Sequence, residues 1–290
     1  MTIEHARARS AQKPWGVVDT HPWNSADNDD QTIGEIWYER PNRGAATPTL
    51  LLKLLFTSEP LSIQVHPDDA YARSIGLPNG KTEAWYVLSA APGAEIALGL
   101  KLRLTSLQLR QAIDDGSISD LVVWHAAHVG DTTFVPAGTI HAIGAGLIIA
   151  EIQQRSDTTF RIFDHHRGRA LNIEGALAVA NAGPADFGIK SVLAADIRTL
   201  LTSNPHFTFE RLDLAPDSSW RLNAHRETWL LAISGSARVD AFDVTTGDVI
   251  FAEMDCVNIH VGNDGLSGLV AYAGGMVPQL LKPADKGNTQ

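Results

Sequence analysis

The chain has 290 residues, of which 44% are hydrophobic and 19% charged, a mix that excludes a disordered polyelectrolyte and fits one large folded body or two fused domains. Its formal net charge of -10 weighs against nucleic acid or an anionic membrane surface as partner, because either would demand a clustered basic face. The expected partner is a small molecule. The single cysteine, Cys256, rules out an intrachain disulfide and any multi-cysteine metal site, and it fits a reducing cytoplasm. Met1 to Gln12 lacks the apolar stretch of a signal peptide, and no segment approaches the roughly 18 apolar residues that span a bilayer. Neither export nor membrane insertion is expected.

Along the chain, short apolar runs alternate with Gly, Pro, Asn and Asp. Strands are expected over Thr49 to Phe56, Ala84 to Leu88, Thr132 to Val135 and Leu147 to Ile152, so the class is mainly β. Two interruptions read as helices. Ser106 to Asp114 ends at an Asp-Asp-Gly stop, and the Ala-rich run Leu171 to Asn181 ends at Ala182-Gly183-Pro184. The order of two short motifs repeats: Glu83-Ala84-Trp85 then Gly130-Asp131, and Glu227-Thr228-Trp229 then Gly247-Asp248. Two matches in the same order predict two barrels of one architecture, residues 1–183 and 184–290.

Gln64 and His66 sit two apart in Leu61-Ser62-Ile63-Gln64-Val65-His66. On a strand both point to one side, and Ile63 and Val65 to the other. Glu83 opens an apolar strand, and His141 follows the turn Pro136-Ala137-Gly138. Two imidazoles, a carboxylate and an amide oxygen form a set suited to zinc with a position left for water or substrate. Taken singly, His66 reads as a hydrogen-bonded structural histidine; the combination is what points to a metal.

Gln-x-His, a strand-opening Glu and Pro-x-Gly-x-x-His together resemble the two-part metal motif of cupins. Most cupins begin with His-x-His, and Gln64 in that place resembles the type I phosphomannose isomerases. The similarity extends to Lys13-Pro14-Trp15-Gly16, Ile33-Gly34-Glu35-Ile36-Trp37, Gln64 to Asp69, Gly80 to Tyr86, Gly130-Asp131, Pro136 to Ile143 and Glu151 to Arg161, in order over residues 13 to 180. The small helical insertion resembles the short bacterial form. The resemblance implies double-stranded β-helix (jelly-roll) barrels, one Zn²⁺ per chain held by Gln64, His66, Glu83 and His141, and a cytoplasmic aldose–ketose isomerase. Its substrate would be a sugar phosphate of the mannose 6-phosphate type, converted to fructose 6-phosphate through a cis-enediolate. The expected state is a monomer or small homo-oligomer.

Carried over by position, Arg161, Lys81 and Glu151 match residues of the family's active cavity. Glu151 is the candidate proton-transfer base, with Lys81 and Arg161 on anionic oxygens of the substrate. For Lys81 the plainer reading is a solvated turn lysine, and for Glu151 a partner of Arg161, whose charge would lower its pKa while burial would raise it. Asp157 reads as an orienting residue. His165, His166 and Arg167 depart from the aromatic and polar pair common in the family, which puts a site role for them in doubt. In the second barrel Glu227 and His260 match Glu83 and His141, but Arg221-Leu222-Asn223 offers no imidazole, so it is expected to hold no metal; His225 is the one residue that weighs the other way. The alternatives are a metal cupin acting on another sugar phosphate or as an oxygenase, against which Gln64 weighs, and a non-catalytic sugar-binding barrel.

Overall fold

Alternation with period two builds the central layer of the molecule. In the strand Leu50–Thr57, Leu52, Leu54 and Phe56 point to one face, Lys53 and Leu55 to the other. In Glu83–Ala90, Ala84 and Tyr86 oppose Trp85 and Val87, and in Leu147–Gln154, Ala150 and Ile152 oppose Ile149 and Glu151. The computed structural model describes residues 2–24, 31–42, 44–185, 192–195 and 197–284.

These strands belong to an antiparallel six-stranded sheet, ordered Arg7–Val17, Ile33–Glu39, Leu50–Thr57, Leu147–Gln154, Glu83–Ala90 and Thr132–Val135. A five-stranded sheet, ordered Phe160–Phe163, Ile63–Val65, His141–Ile143, Glu95–Leu100 and Val122–Ala126, supplies the opposite wall. Between them lies a core that includes Trp15, Leu55, Trp85, Val87, Ile96, Leu98, Ile143 and Ile149. The other face of the five-stranded sheet packs on the helices Ser106–Asp114, Ile118–Leu121 and Ile173–Val179 through Ile63, Val65, Leu109, Ile113, Ile140 and Ala176.

The first of these helices spans the residues expected, with Thr105 and Gln108 forming a reciprocal capping box. The third is shorter than the 171–181 run. Asn172 caps its start by accepting from Gly175 N, and Asn181 has left the helix to donate its amide to Gly138 O at 2.7 Å. Pairing with the Pro136–Gly138 turn thus ends the helix early. A further short helix, Asp69–Ser74, begins at the cap Asp68.

Among the described residues, nine strands between Val192 and Pro283 and the first strand of the chain form one sheet of ten. Its main path is Thr2–His5, Val249–Glu253, Thr228–Val239, Asp255–Ala273, Phe207–Leu214, Arg198–Ser203 and Val192–Ala195. The strand that starts the chain therefore pairs with the last third of the sequence. The repeated motifs take equivalent places: each Glu-x-Trp strand pairs antiparallel with the strand following its Gly-Asp turn, Trp85 opposite Thr133 and Trp229 opposite Phe251. Residues 186–191, just beyond the expected boundary, lie outside the described residues. Among the described residues no helix is long and apolar enough to cross a membrane.

The outward face of the six-stranded sheet is covered by the C-terminal sheet. Ile36, Leu52, Leu54, Tyr86 and Ile152 pack against Phe207, Phe209, Trp229, Leu231 and Phe251. Polar ties fix the seam. Glu227 accepts from Thr49 N and Oγ1, both at 2.6 Å, from Leu50 N at 2.9 Å and from Trp229 Nε1 at 2.9 Å. Glu227→Ala would strand the buried Leu50 N and Trp229 Nε1 away from water, while exposed Thr49 can turn to solvent, and each stranded donor costs about 1–3 kcal/mol. We expect a fall in stability of about 2 kcal/mol or more, read as a lower urea midpoint at unchanged slope.

Candidate metal centre and active site

Register sets the site. Across the inner face of the six-stranded sheet, Trp37, Lys53, Glu151 and Trp85 lie directly opposite one another on successive strands. On the facing sheet, Arg161, Gln64 and His141 form a second row. Glu83, at the start of its strand, reaches from the first wall to the histidines of the second.

The four expected metal ligands converge. Glu83 Oε2 lies 3.5 Å from His66 Nε2 and Oε1 lies 3.4 Å from His141 Nε2. Gln64 places its amide end 3.3 Å from His141 Nε2. A tetrahedral site with bonds of about 2.0–2.1 Å has ligand-to-ligand edges of about 3.3 Å, which these separations match. Each imidazole meets a backbone carbonyl through Nδ1, His66 at Thr158 O and His141 at Thr139 O, both 2.9 Å. A carbonyl only accepts, so Nδ1 carries the proton and the Nε2 lone pair faces Glu83. Burial holds both rings in the neutral form, pulling the His141 pKa down to about 4 and that of His66 well below its ordinary value.

Neutral lone pairs aimed at a buried carboxylate repel it unless a cation lies between them. His66 Nε2 and Glu83 Oε1 have no hydrogen-bond partner, and Glu83 Oε2 meets only the Lys81 ammonium, at 3.2 Å, a costly condition for groups this deep. The donor set therefore fits a divalent metal, and it is the one cluster of three such side chains found among the described residues. Gln64 completes it by a choice of amide orientation. With the ends exchanged, Nε2 donates to Ser62 Oγ, now 3.1 Å from Oε1, and the oxygen joins the cluster.

The cluster opens on a cavity of about 220 Å³. Five cations, Lys13, Lys53, Lys81, Arg161 and Arg169, line it with four carboxylates, Glu35, Glu83, Glu151 and Asp157, so the protein alone leaves it one charge positive. Lys81 is not a solvated turn residue. It is 5% exposed, with Nζ 3.2 Å from Glu83 Oε2. Burial acts to lower its pKa, but Glu83 and Glu151 outweigh it and the net shift is upward, which keeps the ammonium charged. Its placement depends on Gly80, where a Cβ would lie 2.5 Å from Pro67 O; Lys81 N donates to that same oxygen at 3.0 Å.

Glu151 is also buried, and its cation partner is Lys53 rather than Arg161. Lys53 Nζ is 3.5 Å from Oε1, and Trp85 Nε1 donates to Oε2 at 3.1 Å. Burial first, then the charge of Glu83, raises the Glu151 pKa against the opposing pull of Lys53 and Lys81. Arg161 donates to Ser62 Oγ and to Ala170 O. Asp157 is exposed at the cavity edge, whereas His165, His166 and Arg167 lie outside the lining. His165 instead meets Leu61 O at 3.0 Å.

Several lining residues carried no role in the sequence reading. Lys53 was legible as a lone charge inside Leu50–Phe56. Lys13 and Glu35 lie in motifs already singled out and pair with each other at 3.2 Å. Trp37 Nε1 donates to Glu35 at 2.6 Å, and Lys53 Nζ sits 4.4 Å over the Trp37 ring. Burial tends to raise the Glu35 pKa, but Lys53 and Lys13 prevail and it is lowered.

No family model matches the chain. The Bacillus subtilis protein GmuF, named as a probable mannose-6-phosphate isomerase, is 32% identical over 232 residues, covering 72% of this chain and 70% of its own length. The chain belongs to the mannose-6-phosphate isomerase family. The Streptococcus mutans mannose-6-phosphate isomerase is 43% identical over 171 residues, 55% of this chain; the match spans 52%, about half, of that relative's length. Among solved structures, the mannose 6-phosphate isomerase of Bacillus subtilis superposes with a TM-score of 0.77 at 24% identity, covering 94% of this chain and 100% of that one. A zinc-bound mannose 6-phosphate isomerase gives 0.73 at 16% identity over 94% and 100% of the two chains. The expected cupin-type architecture is thus the observed one.

Within this member of the mannose-6-phosphate isomerase family, the Lys53–Glu151 pair is open to direct test. Lys53→Met leaves Glu151 without its nearest cation, and breaking a buried pair typically costs about 3–5 kcal/mol. Adding Glu151→Gln removes the orphaned charge. We expect the double variant to be more stable than Lys53→Met alone, a coupling that a double-mutant cycle of urea unfolding measures; additive losses would show the two groups to be independent.

Proposed function

We propose that this chain is a metal-dependent mannose-6-phosphate isomerase that interconverts mannose 6-phosphate and fructose 6-phosphate. One observation carries the reading: the buried Glu83 carboxylate meets the Nε2 atoms of two neutral imidazoles, and Glu83 and Gln64 line a small cavity with a net positive charge. Membership of the family and the names of its relatives support the substrate. Gln64, His66, Glu83 and His141 would hold the metal, zinc by likeness to the zinc-bound neighbour. When bound, a divalent ion there supplies positive charge that polarises the sugar oxygens.

The chain's own residues account for the proton. Glu151, the carboxylate whose pKa burial raises, takes the proton from C2 of the open-chain aldose. The C2–H pair forms the new C1–C2 double bond, and the C1 carbonyl becomes the enediolate oxygen. Lys81, held charged by Glu83 and Glu151, offsets that negative charge. Glu151 returns the proton to C1 while the O2 hydroxyl proton passes to O1, which leaves the carbonyl at C2. Arg161 binds anionic oxygen of the substrate from the opposite wall. Trp85 and Lys53 orient the Glu151 carboxylate from two sides. The single free cysteine, Cys256, is in keeping with work in the reducing cytoplasm, and we retain a monomer or small homo-oligomer as the working form.

Metal analysis paired with an isomerase assay tests this reading. We expect one divalent ion per chain and turnover of mannose 6-phosphate, with both lost in His141→Ala; turnover that survives complete removal of metal overturns it. Glu151→Gln is expected to keep the metal and lose about 10²- to 10⁴-fold in kcat, the usual contribution of a positioned acid–base group. Near wild-type turnover in that variant would remove Glu151 from the role of base.

A further inference from the structure

Asp164 is a buried carboxylate ringed by three guanidiniums. Arg169 grips it with two bonds, Nε to Oδ2 at 2.9 Å and Nη2 to Oδ1. Arg167 Nη2 donates to Oδ1 at 3.2 Å, and Arg161 Nε lies 3.9 Å from the same oxygen. One negative charge cannot balance three positive ones. Arg167 has a second partner in Glu59, 3.6 Å away, and does not line the cavity. The uncompensated charge therefore falls on Arg161 and Arg169, and both of these line the cavity beside the candidate metal centre.

The backbone is bent to make this arrangement. His165 and His166 adopt consecutive left-handed conformations, φ 49° and 61°, a region that non-glycine residues rarely enter. Such outliers persist where surrounding contacts over-determine them, and they cluster at ligand clamps. Here the contacts are His165 Nε2 with Leu61 O at 3.0 Å and the grip of Arg169 on Asp164. That grip uses one edge of the guanidinium. The other edge, at Nη1, has no hydrogen-bond partner among the described residues, and Arg169 lines the cavity. Burial, and after it the charge of Arg169, lowers the pKa of Arg161; an anion between the two relieves that crowding.

We infer that Arg169 is a second phosphate-binding residue, closing with Arg161 on the phosphate monoester of the sugar, and that Asp164 is the positioning residue that fixes it in the cavity wall. Two forked guanidiniums suit a phosphate dianion better than point charges do, because each offers parallel N–H groups to its oxygens. The inference rests on the sugar-phosphate reading of the site and assigns its phosphate end.

The test measures binding of inorganic phosphate to the metal-loaded protein by calorimetry, alongside kinetics with mannose 6-phosphate. Arg169→Gln is expected to weaken phosphate by roughly tenfold to a hundredfold, the effect of losing a charge-assisted hydrogen bond. KM should rise by a comparable factor with kcat within about threefold, the pattern of lost uniform binding. Arg169→Lys, which keeps the charge but not the fork, should recover part of the affinity, and Asp164→Asn should move KM in the same direction by less. Unchanged phosphate affinity and KM in Arg169→Gln, or a fall in kcat alone, overturns the assignment. Unchanged KM in Asp164→Asn overturns the positioning role. If the wild type binds phosphate and Arg169→Gln does not, yet neither turns over mannose 6-phosphate, the anion site stands and the isomerase reading falls.

Discussion

The central sheet of this protein is covered on both faces, and that constraint governs the rest. Its outward side chains pack on the C-terminal sheet, and its inward ones face the second wall of the first barrel. A charged residue on such a sheet has no route to bulk water, so every inward charge must find a partner inside. Lys53 meets Glu151, Lys81 meets Glu83, and Lys13 meets Glu35. The pairing leaves a gap at the site: His66 Nε2 and Glu83 Oε1 have no hydrogen-bond partner among the described residues. Where two such atoms face each other across the cluster, a cation between them satisfies both.

The same constraint explains why the C-terminal sheet matters to a site it does not line. Glu227 bonds the backbone of Thr49 and Leu50, the residues that lead into the strand bearing Lys53. Tyr86, next to Trp85, accepts from Arg211 at 3.0 Å, and Tyr38, next to Trp37, donates to Gly247 O at 2.8 Å. Three of the site-bearing strands are thus tied from behind by the C-terminal sheet. Because side chains alternate, any shift of one residue in these strands would exchange the apolar face for the charged one. The ties oppose such a slip.

Much of this was legible in the sequence. Gln64 and His66 at a spacing of two, Glu83 opening a strand and His141 after a Pro-x-Gly turn name the cluster, because strand geometry fixes which side each residue faces. The helix Ser106–Asp114 was legible from its apolar residues and its Asp-Asp-Gly stop. What could not be read is which strands lie side by side. Pairing is non-local, so the row Trp37, Lys53, Glu151 and Trp85 draws on four separate segments, and nothing local to Glu151 distinguishes Lys53 from Arg161 as its partner. The same holds for Thr2–His5, whose place beside Val249–Glu253 crosses nearly the whole chain. The second helix was overextended for a related reason: its Ala-rich end has good helix propensity, but Asn181 has a tertiary partner in Gly138, and tertiary contacts override propensity.

The two Glu-x-Trp motifs show how one architecture yields two outcomes. In each, a buried glutamate stands at the head of a strand whose tryptophan is fully packed. Glu227 is surrounded by donors: two backbone amides, a hydroxyl and the indole of its own Trp229. Its oxygens are engaged and its charge is dispersed over them, while His260, the counterpart of His141, is exposed and bonds Ser219 Oγ. Glu83 has no backbone amide or hydroxyl donor among the described residues, and its tryptophan, Trp85, gives its N–H to Glu151 instead. What faces Glu83 is a pair of imidazole lone pairs and one ammonium. Redirecting one indole N–H from the adjacent glutamate to a carboxylate on the neighbouring strand therefore frees the first glutamate for a cation and fixes the orientation of the second. The difference between a strut and a candidate metal centre lies less in the repeated motif than in which strand is paired beside it.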